Sequence, residues 1–239
     1  MTSPLRSVRG TRETDPLHID VFAFDLDDPN HDSNIETLSP DEQERAQRFR
    51  FNRDRVRYQR GRATLRARLS ERIKIAPDAI RFEYGTQGKP RIVNSALHFN
   101  LAHSESLAVL AISHRELGID IEMHRTGFAD DTIAERFFAP IEVQQLRALP
   151  VERQQAAFFR CWTRKEAYLK AIGGGLSIPL DDFTVDFAEN GRPRITWVRD
   201  EPDEHDAWTI IDCSRKIAEP ATSAIAVRGP VSTVNFSLR

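Results

Sequence analysis

Hydrophobic positions along the chain change period several times, and the changes mark its elements. Over 18–24 the pattern has period two: Ile19, Val21 and Ala23 fall on one side, Phe22 and Phe24 on the other. Ser39-Pro40-Asp41-Glu42 then reads as a helix start, with Ser at the N-cap, Pro at the first position and Glu placed for a capping box. A longer helix is expected over 54–75, ending before Pro77 because the residue preceding proline is pushed out of the helical region. Strand-like runs follow over 80–84, 97–101 and 107–113, with Gly85 and Gly88 marking turns.

The second half restarts this order. A strand is expected over 118–123, a short helix over 132–138 and a long helix over 151–172 that stops at Gly173-Gly174-Gly175. Strands are expected over 183–187, 194–198, 208–213 and 224–227. Both halves therefore run strand, short helix, long helix, several strands. No residue-level repeat accompanies the pattern. It predicts two similar α/β halves, with a site at their interface.

Two segments carry most of the chemistry. In Gly118-Ile119-Asp120-Ile121-Glu122, side chains two apart share a face at a separation of about 7 Å. Ile119 and Ile121 would face the core, and Asp120 and Glu122 a cleft. Two readings stand: an amphipathic edge strand with two solvated acids, or a pair of carboxylates that needs a cation. On the long helix, Phe158, Cys161, Trp162, Leu169 and Ile172 form an apolar stripe, while Glu166 and Lys170 lie one turn apart on another face with Lys165 beside Glu166. Glu166 and Lys170 suit an exposed i,i+4 pair. Packed against the strand, Glu166 instead becomes the third carboxylate of an oxygen-only site suited to Mg²⁺ and phosphate oxygens, with lysines as point charges. Gly85 to Pro90 is a glycine-bordered turn presenting Lys89. His103 and Ser104 end a strand, without the Gly-x-Ser-x-Gly elbow of a nucleophilic serine, and phosphate hydrogen bonding is the better use for them.

Composition narrows the class. The 239 residues are 40% hydrophobic and 29% charged with a formal net charge of −2, as in an ordinary globular protein. The N-terminus lacks a signal-peptide apolar run, no segment has membrane-spanning length, and two cysteines, Cys161 and Cys213, suggest free thiols. A cytoplasmic protein without membrane partners is expected. From Arg45 to Arg72 eleven arginines stand against Asp54 and Glu71. Most are expected on a solvated helix face and a few in specific work.

Gly88-Lys89-Pro90, Asn100-Leu101-Ala102-His103-Ser104, the Gly118–Glu122 strand, Arg136-Phe137-Phe138 and Trp162-Thr163-Arg164-Lys165-Glu166-Ala167-Tyr168-Leu169-Lys170 occur in an order and spacing that resemble the 4'-phosphopantetheinyl transferases, specifically the larger single-chain, pseudo-dimeric type. The resemblance covers residues 39–187. It implies an α+β fold of two similar halves, each a small, mainly antiparallel sheet packed on a long helix. The expected division is an N-terminal extension over 1–16, halves over 17–115 and 116–229, and a tail over 230–239. It also implies transfer of the phosphopantetheine arm of coenzyme A to a serine of an apo acyl or peptidyl carrier protein, releasing adenosine 3',5'-bisphosphate.

By position in those motifs, Asp120, Glu122 and Glu166 would hold Mg²⁺. Glu166 would serve as base, directly or through water, and Lys170 would stabilise the leaving phosphate. Lys165, Lys89 and His103 would contact phosphates, and Pro90 would line the nucleotide pocket. Arg45 and Arg57 would form a 3'-phosphate clamp. Ala102 departs from a frequent serine. Glu142 is open to two roles, orienting Lys170 or a water, or complementing a helix dipole. Trp162 is expected to pack. A monomer is expected, with coenzyme A as co-substrate and no nucleic-acid partner. Two rivals stand beside this reading. One is a Mg²⁺-dependent nuclease or phosphodiesterase using the arginine stripe. The other is a non-catalytic module that binds coenzyme A or a carrier protein.

Overall fold

The computed structural model describes residues 17–28, 34–124, 131–201, 203–217 and 220–238. The proposed extension over 1–16 lies outside them. In chain order the first elements are β1 (His18–Asp25), α1 (Pro40–Gln47), α2 (Asn52–Ile73), β2 (Phe82–Tyr84), β3 (Pro90–Ile92), β4 (His98–Ser104) and β5 (Leu107–Ser113). There follow β6 (Leu117–Met123), α3 (Asp131–Phe137), α4 (Pro140–Arg147), α5 (Val151–Ile172), β7 (Phe183–Asp186) and β8 (Arg194–Val198). The chain closes with β9 (Trp208–Asp212), α6 (Ser214–Ile217), β10 (Ala221–Arg228) and β11 (Thr233–Leu238). The result is a mixed α+β fold with several small sheets.

Two sheets lie back to back. One has the order β11-β1-β5-β4 and the other β6-β10-β9. Both are antiparallel except for the parallel β1–β11 pair. The period-two pattern of β1 explains the layering. Ile19, Val21 and Ala23 pack with Leu117, Ile119, Ile121 and Ile225 between the sheets, while Phe22 and Phe24 pack on Leu65 and Leu69 of α2. The second sheet's other face, through Ala224 and Ala226, packs on Phe158, Cys161, Ala167 and Leu169 of α5. The layers therefore run α2, sheet, sheet, α5. With both faces covered, β5 and β10 read as nearly unbroken apolar runs.

The seam between the sheets is stitched by side chains. Ile119 N–H donates to Asn100 Oδ1 at 2.8 Å, and Met123 N–H to Ser104 Oγ at 3.1 Å. Asn100 and Ser104 thus extend the edge of β4 toward β6, satisfying backbone groups that have no ladder partner there. The hydroxyl expected to meet phosphate is spent on the fold.

Two of the eleven arginines are also structural. Arg62 and Arg66 donate from Nε to the two oxygens of buried Glu42 at 2.6 Å each, and Glu42 also receives Ser39 N–H at 3.0 Å. The segment over 230–239, expected to be a tail, needs correction. Thr233–Leu238 pairs with β1 from His18↔Thr233 to Ala23↔Leu238, so the chain's end returns to the first sheet. Its alternation of Val234, Phe236 and Leu238 carried the signal, but the partner lies some 215 residues earlier.

The backbones of β6 and α5 come very close at Gly118. A Cβ there would overlap Ala167 O and Ala171 N, and lie 2.8 Å from the carbonyl carbon of Lys170. The neighbours are helix backbone and cannot swing aside. At Gly61 on α2, by contrast, a Cβ would meet only Leu26 and Leu101 side chains at 3.6 and 3.7 Å. Gly118→Ala is therefore expected to destabilise the protein by about 1–3 kcal/mol or more. Gly61→Ala should be neutral or stabilising by up to about 1 kcal/mol, through helix propensity. Urea unfolding of both variants checks the contrast.

Candidate active site

Because Gly118 lets α5 sit on β6, the polar side chains of the two elements meet. Ile119 and Ile121 point between the sheets, so Asp120 and Glu122 point toward α5. Glu166 and Lys170 come down from the helix one turn apart. Lys170 Nζ donates to Asp120 Oδ1 at 2.5 Å, and Ser104 Oγ donates to Glu122 Oε2 at 3.0 Å. Asp120 is only 4% exposed, so the expected open cleft is deeper than the sequence suggested.

The electrostatics are those of acids crowded out of water. Burial raises the Asp120 pKa, against the pull of Lys170. Burial and then the charge of Asp120 raise that of Glu166. Burial works against the Lys170 ammonium, yet Asp120, with Glu166 and Glu122 behind it, holds its pKa above the ordinary lysine value. Lys170 therefore stays protonated.

Among the described residues, no hydrogen bond reaches the buried Asp120 Oδ2. A buried carboxylate oxygen without a partner is costly, and a cation resolves it together with the Asp120–Glu166 repulsion. The donors are all oxygens, the set a hard divalent ion takes. Among the described residues no three acidic, histidine or cysteine side chains already converge as a metal cluster. The residues fit Mg²⁺ by chemistry, with Lys170 sharing Asp120.

Glu166 and Lys170 open onto a cavity of about 280 Å³ also lined by Gly88, Lys89, Pro90 and Asn100. A second cavity of about 240 Å³ shares Gly88, Pro90 and Asn100 with it and adds Arg45, Arg57, Tyr58 and His103. The two form one groove, lined by residues between Leu26 and Ala108 and between Glu166 and Gly175. His103 stands at its rim, its pKa lowered by the protein wall behind it and by the charges of Lys170 and Arg57. Arg45 lies over the Tyr58 ring at 5.5 Å. Tyr58 was not among the expected residues, since a lone tyrosine in an arginine-rich helix gives no signal of its own.

Three expected phosphate contacts are changed by the structure. Lys165 is corrected outright: it is fully buried, with Nζ 2.7 Å from Glu142 Oε2, and donates to Leu180 O at 2.9 Å and Phe183 O at 2.5 Å. Glu142 in turn receives Ala139 N–H and Val185 N–H. Glu142 stands in the first turn of α4 and is bound by Lys165 and these two backbone groups, with Lys170 not among its partners. Breaking such a buried pair costs about 3–5 kcal/mol, so it is a fold element. The signal was present in the sequence: Lys165 sits four residues from both Cys161 and Leu169, inside the apolar stripe.

Lys89 lines the groove, but its Nζ donates to Leu117 O at 3.0 Å and Ala171 O at 2.6 Å. It braces the glycine turn against β6 and against an end carbonyl of α5, where helix carbonyls lack partners. Arg57 is held in a two-point pair with Asp27, Nε to Oδ1 at 2.8 Å and a second contact to Oδ2, so it enters the groove already paired. Trp162 packs on Phe158 and Phe137, as expected. Cys161 and Cys213 are buried free thiols, and no described helix is long and apolar enough to cross a membrane.

With this geometry in place, comparison with known proteins adds a consistent picture. Residues 116–218 match the 4'-phosphopantetheinyl transferase superfamily, and residues 27–115 match the family described as 4'-phosphopantetheinyl transferase, N-terminal. The 4'-phosphopantetheinyl transferase HetI of Nostoc sp. is 41% identical over 169 residues, covering 69% of this chain and 71% of that protein. The 4'-phosphopantetheinyl transferase psf-1 of Bacillus pumilus is 39% identical over 72% of this chain and 76% of its own. Sfp of Bacillus subtilis, also named a 4'-phosphopantetheinyl transferase, is 34% identical over 70% of this chain and 73% of its own.

The Lys89 brace has a pH signature. Burial lowers its pKa from 10.5 to about 8. The folded state then binds fewer protons at this group than the unfolded chain between those values, and its contribution to stability rises with pH across that window. A neutral amine still has two hydrogens for its two carbonyls. Relative to Lys89→Met, the wild-type protein should gain stability from about pH 8 to 10.5. Urea unfolding at a series of pH values checks this; a flat difference contradicts it.

Proposed function

The chain belongs to the 4'-phosphopantetheinyl transferase superfamily and is an enzyme of that class, and from this premise we propose that it transfers the phosphopantetheine arm of coenzyme A, with Mg²⁺, to a serine hydroxyl of an apo carrier protein, releasing adenosine 3',5'-bisphosphate. The observation that carries the site assignment is the buried Asp120–Lys170 pair with its unpartnered Asp120 Oδ2, facing Glu166. Asp120, Glu122 and Glu166 would hold the metal, which when bound spreads the charge of the diphosphate. Glu166, its pKa raised by burial, is suited to take the serine proton as attack at phosphorus proceeds. Lys170 remains protonated and 31% exposed, with donors left for the leaving phosphate. Pro90, His103, Arg45 and Tyr58 would hold the nucleotide end along the groove, with Arg57 as a paired wall residue.

We also propose that the two halves, about 17–115 with β11 and 116–229, descend from one unit, and that the site lies between them. Equivalent residues support it at an offset of one hundred: Leu17, Ile19, Asp20 and Val21 against Leu117, Ile119, Asp120 and Ile121, and Pro40 and Glu42 against Pro140 and Glu142. Glu42 pairs with Arg66 on α2 as Glu142 pairs with Lys165 on α5, and Asp20 pairs with Arg72 as Asp120 pairs with Lys170. In the first half, however, Phe22 stands at the Glu122 position, and the stretch opposite Glu166, residues 66–68, is Arg-Ala-Arg with no acid. Only the second half keeps all three acids, giving one site in a monomer.

The test is mass spectrometry of several apo carrier proteins incubated with the enzyme, coenzyme A and Mg²⁺. A phosphopantetheine increment is expected, falling by about 10²–10⁴-fold in Glu166→Gln. Asp120→Asn should fall comparably while its first-half counterpart Asp20→Asn keeps nearly full rate. No increment on any carrier would overturn the transfer reading. An increment at full rate in Glu166→Gln would overturn the site.

A further inference from the structure

Two cavities larger than the groove lie on a different part of α5. One, of about 820 Å³, is lined in part by Leu149, Arg153, Phe187 and Arg194; the other, of about 790 Å³, by His124, Asp212, Lys216 and Thr222. Neither shares a lining residue with the groove. They share Arg160, Glu189, Asn190 and Gly191 with each other, so Arg160 stands in the wall between them.

Arg160 is unlike the other inward-facing cations. Lys165 has Glu142, Arg66 has Glu42 and Arg164 has Asp212 at 2.9 Å. Half-buried Arg160 donates only from Nε, to Phe187 O at 3.0 Å; its two terminal nitrogens make no hydrogen bond or ion pair among the described residues. Beside it lies Arg164, 2% exposed, whose Nε is itself buried without an acceptor. His124 closes the same cavity, stacked on Phe159 with centroids 4.7 Å apart and Nε2 2.6 Å from Thr222 Oγ1. These positive groups oppose one another: burial and Arg164 lower the Arg160 pKa against the pull of Glu189 and Asp212, and burial and Arg160 lower that of His124.

Glu189 and Asp212 line the same cavity but pair with Arg153 and Arg164. A half-buried guanidinium fork with no carboxylate of its own in ion-pair contact, next to a second guanidinium and an imidazole, is a receptor for an anion. Its donors come from separate elements, α5, the end of β6 and α6 with Lys216, and line one cavity. That arrangement suits the tetrahedral oxygens of a phosphate better than the two coplanar oxygens of a carboxylate. We propose that Arg160, with His124 and Lys216, forms a second oxyanion site for phosphate or a phosphate monoester, separate from the catalytic groove.

Inorganic phosphate titrated into the full-length protein tests this by calorimetry and by NMR of the His124 imidazole. Binding should persist in Lys170→Met, which removes the groove's catalytic cation, and weaken about tenfold or more in Arg160→Gln. Phosphate should also raise the His124 pKa in the wild-type protein, a readout that decides the matter even if Arg160→Gln fails to fold. A phosphate ester should compete with inorganic phosphate if the natural ligand is a monoester; failure to compete narrows the site to the free ion. Equal affinity in Arg160→Gln and wild type, loss of all binding in Lys170→Met, or an unmoved His124 would overturn the proposal. Binding of a glutamate-rich peptide in place of phosphate would overturn it in favour of protein docking. None of these outcomes depends on carrier modification, so the site stands or falls apart from the transferase reading.

Discussion

The seating of α5 on β6 is the constraint on which the rest of the structure turns. Strand and helix backbones come so close at residue 118 that only glycine is compatible with the distance. That approach lets Ala167 and Ala171 cover the strand, buries Asp120 and places Glu166 and Lys170 over it. Cys161, Ala167 and Leu169 keep the helix there through the core beneath. The buried Lys165–Glu142 pair ties its middle to α4, and Lys89 braces its C-terminal end from the first half. Each of these contacts controls the same variable, the height and rotation of α5 over two acids.

Electrostatics make that position consequential. A salt bridge at a surface is worth about 0–1 kcal/mol, whereas acids crowded in a low dielectric repel strongly and gain much from a cation. Asp120 and Glu166 have a single ammonium between them, and one oxygen of Asp120 has no partner. Other buried acids are paired by cations, as Glu42 with two arginines and Glu142 with Lys165 show. The under-satisfied cluster is therefore a place where binding energy for a cation is available.

Much of this was legible in the sequence. The limits of α5, β5 and β8 follow from periodicity and their glycine or polar borders, and α2 from its proline stop with a shift of two residues. Asp120, Glu122, Glu166 and Lys170 were readable because their spacing fixes their faces. Lys165 misled because adjacency in sequence to Glu166 turns it by a full residue's rotation into the core, where its partners, Glu142 and two carbonyls, come from other elements. Lys89 and Arg57 acquired partners, Ala171 and Asp27, that only the packing of the halves supplies. The same distance in sequence hid the pairing of β11 with β1. Local chemistry is written locally; the assignment of a cation to a particular anion is decided by tertiary approach.

On the proposed reading, β6 and α5 force acids together in a way that a divalent cation relieves. The most direct measurement is a carbon-13 NMR titration of the Asp120 and Glu166 carboxyl groups, with and without Mg²⁺. Without metal both should titrate above ordinary carboxylate values, and with Mg²⁺ both should fall below their metal-free values. Ordinary values that Mg²⁺ leaves unmoved would contradict it.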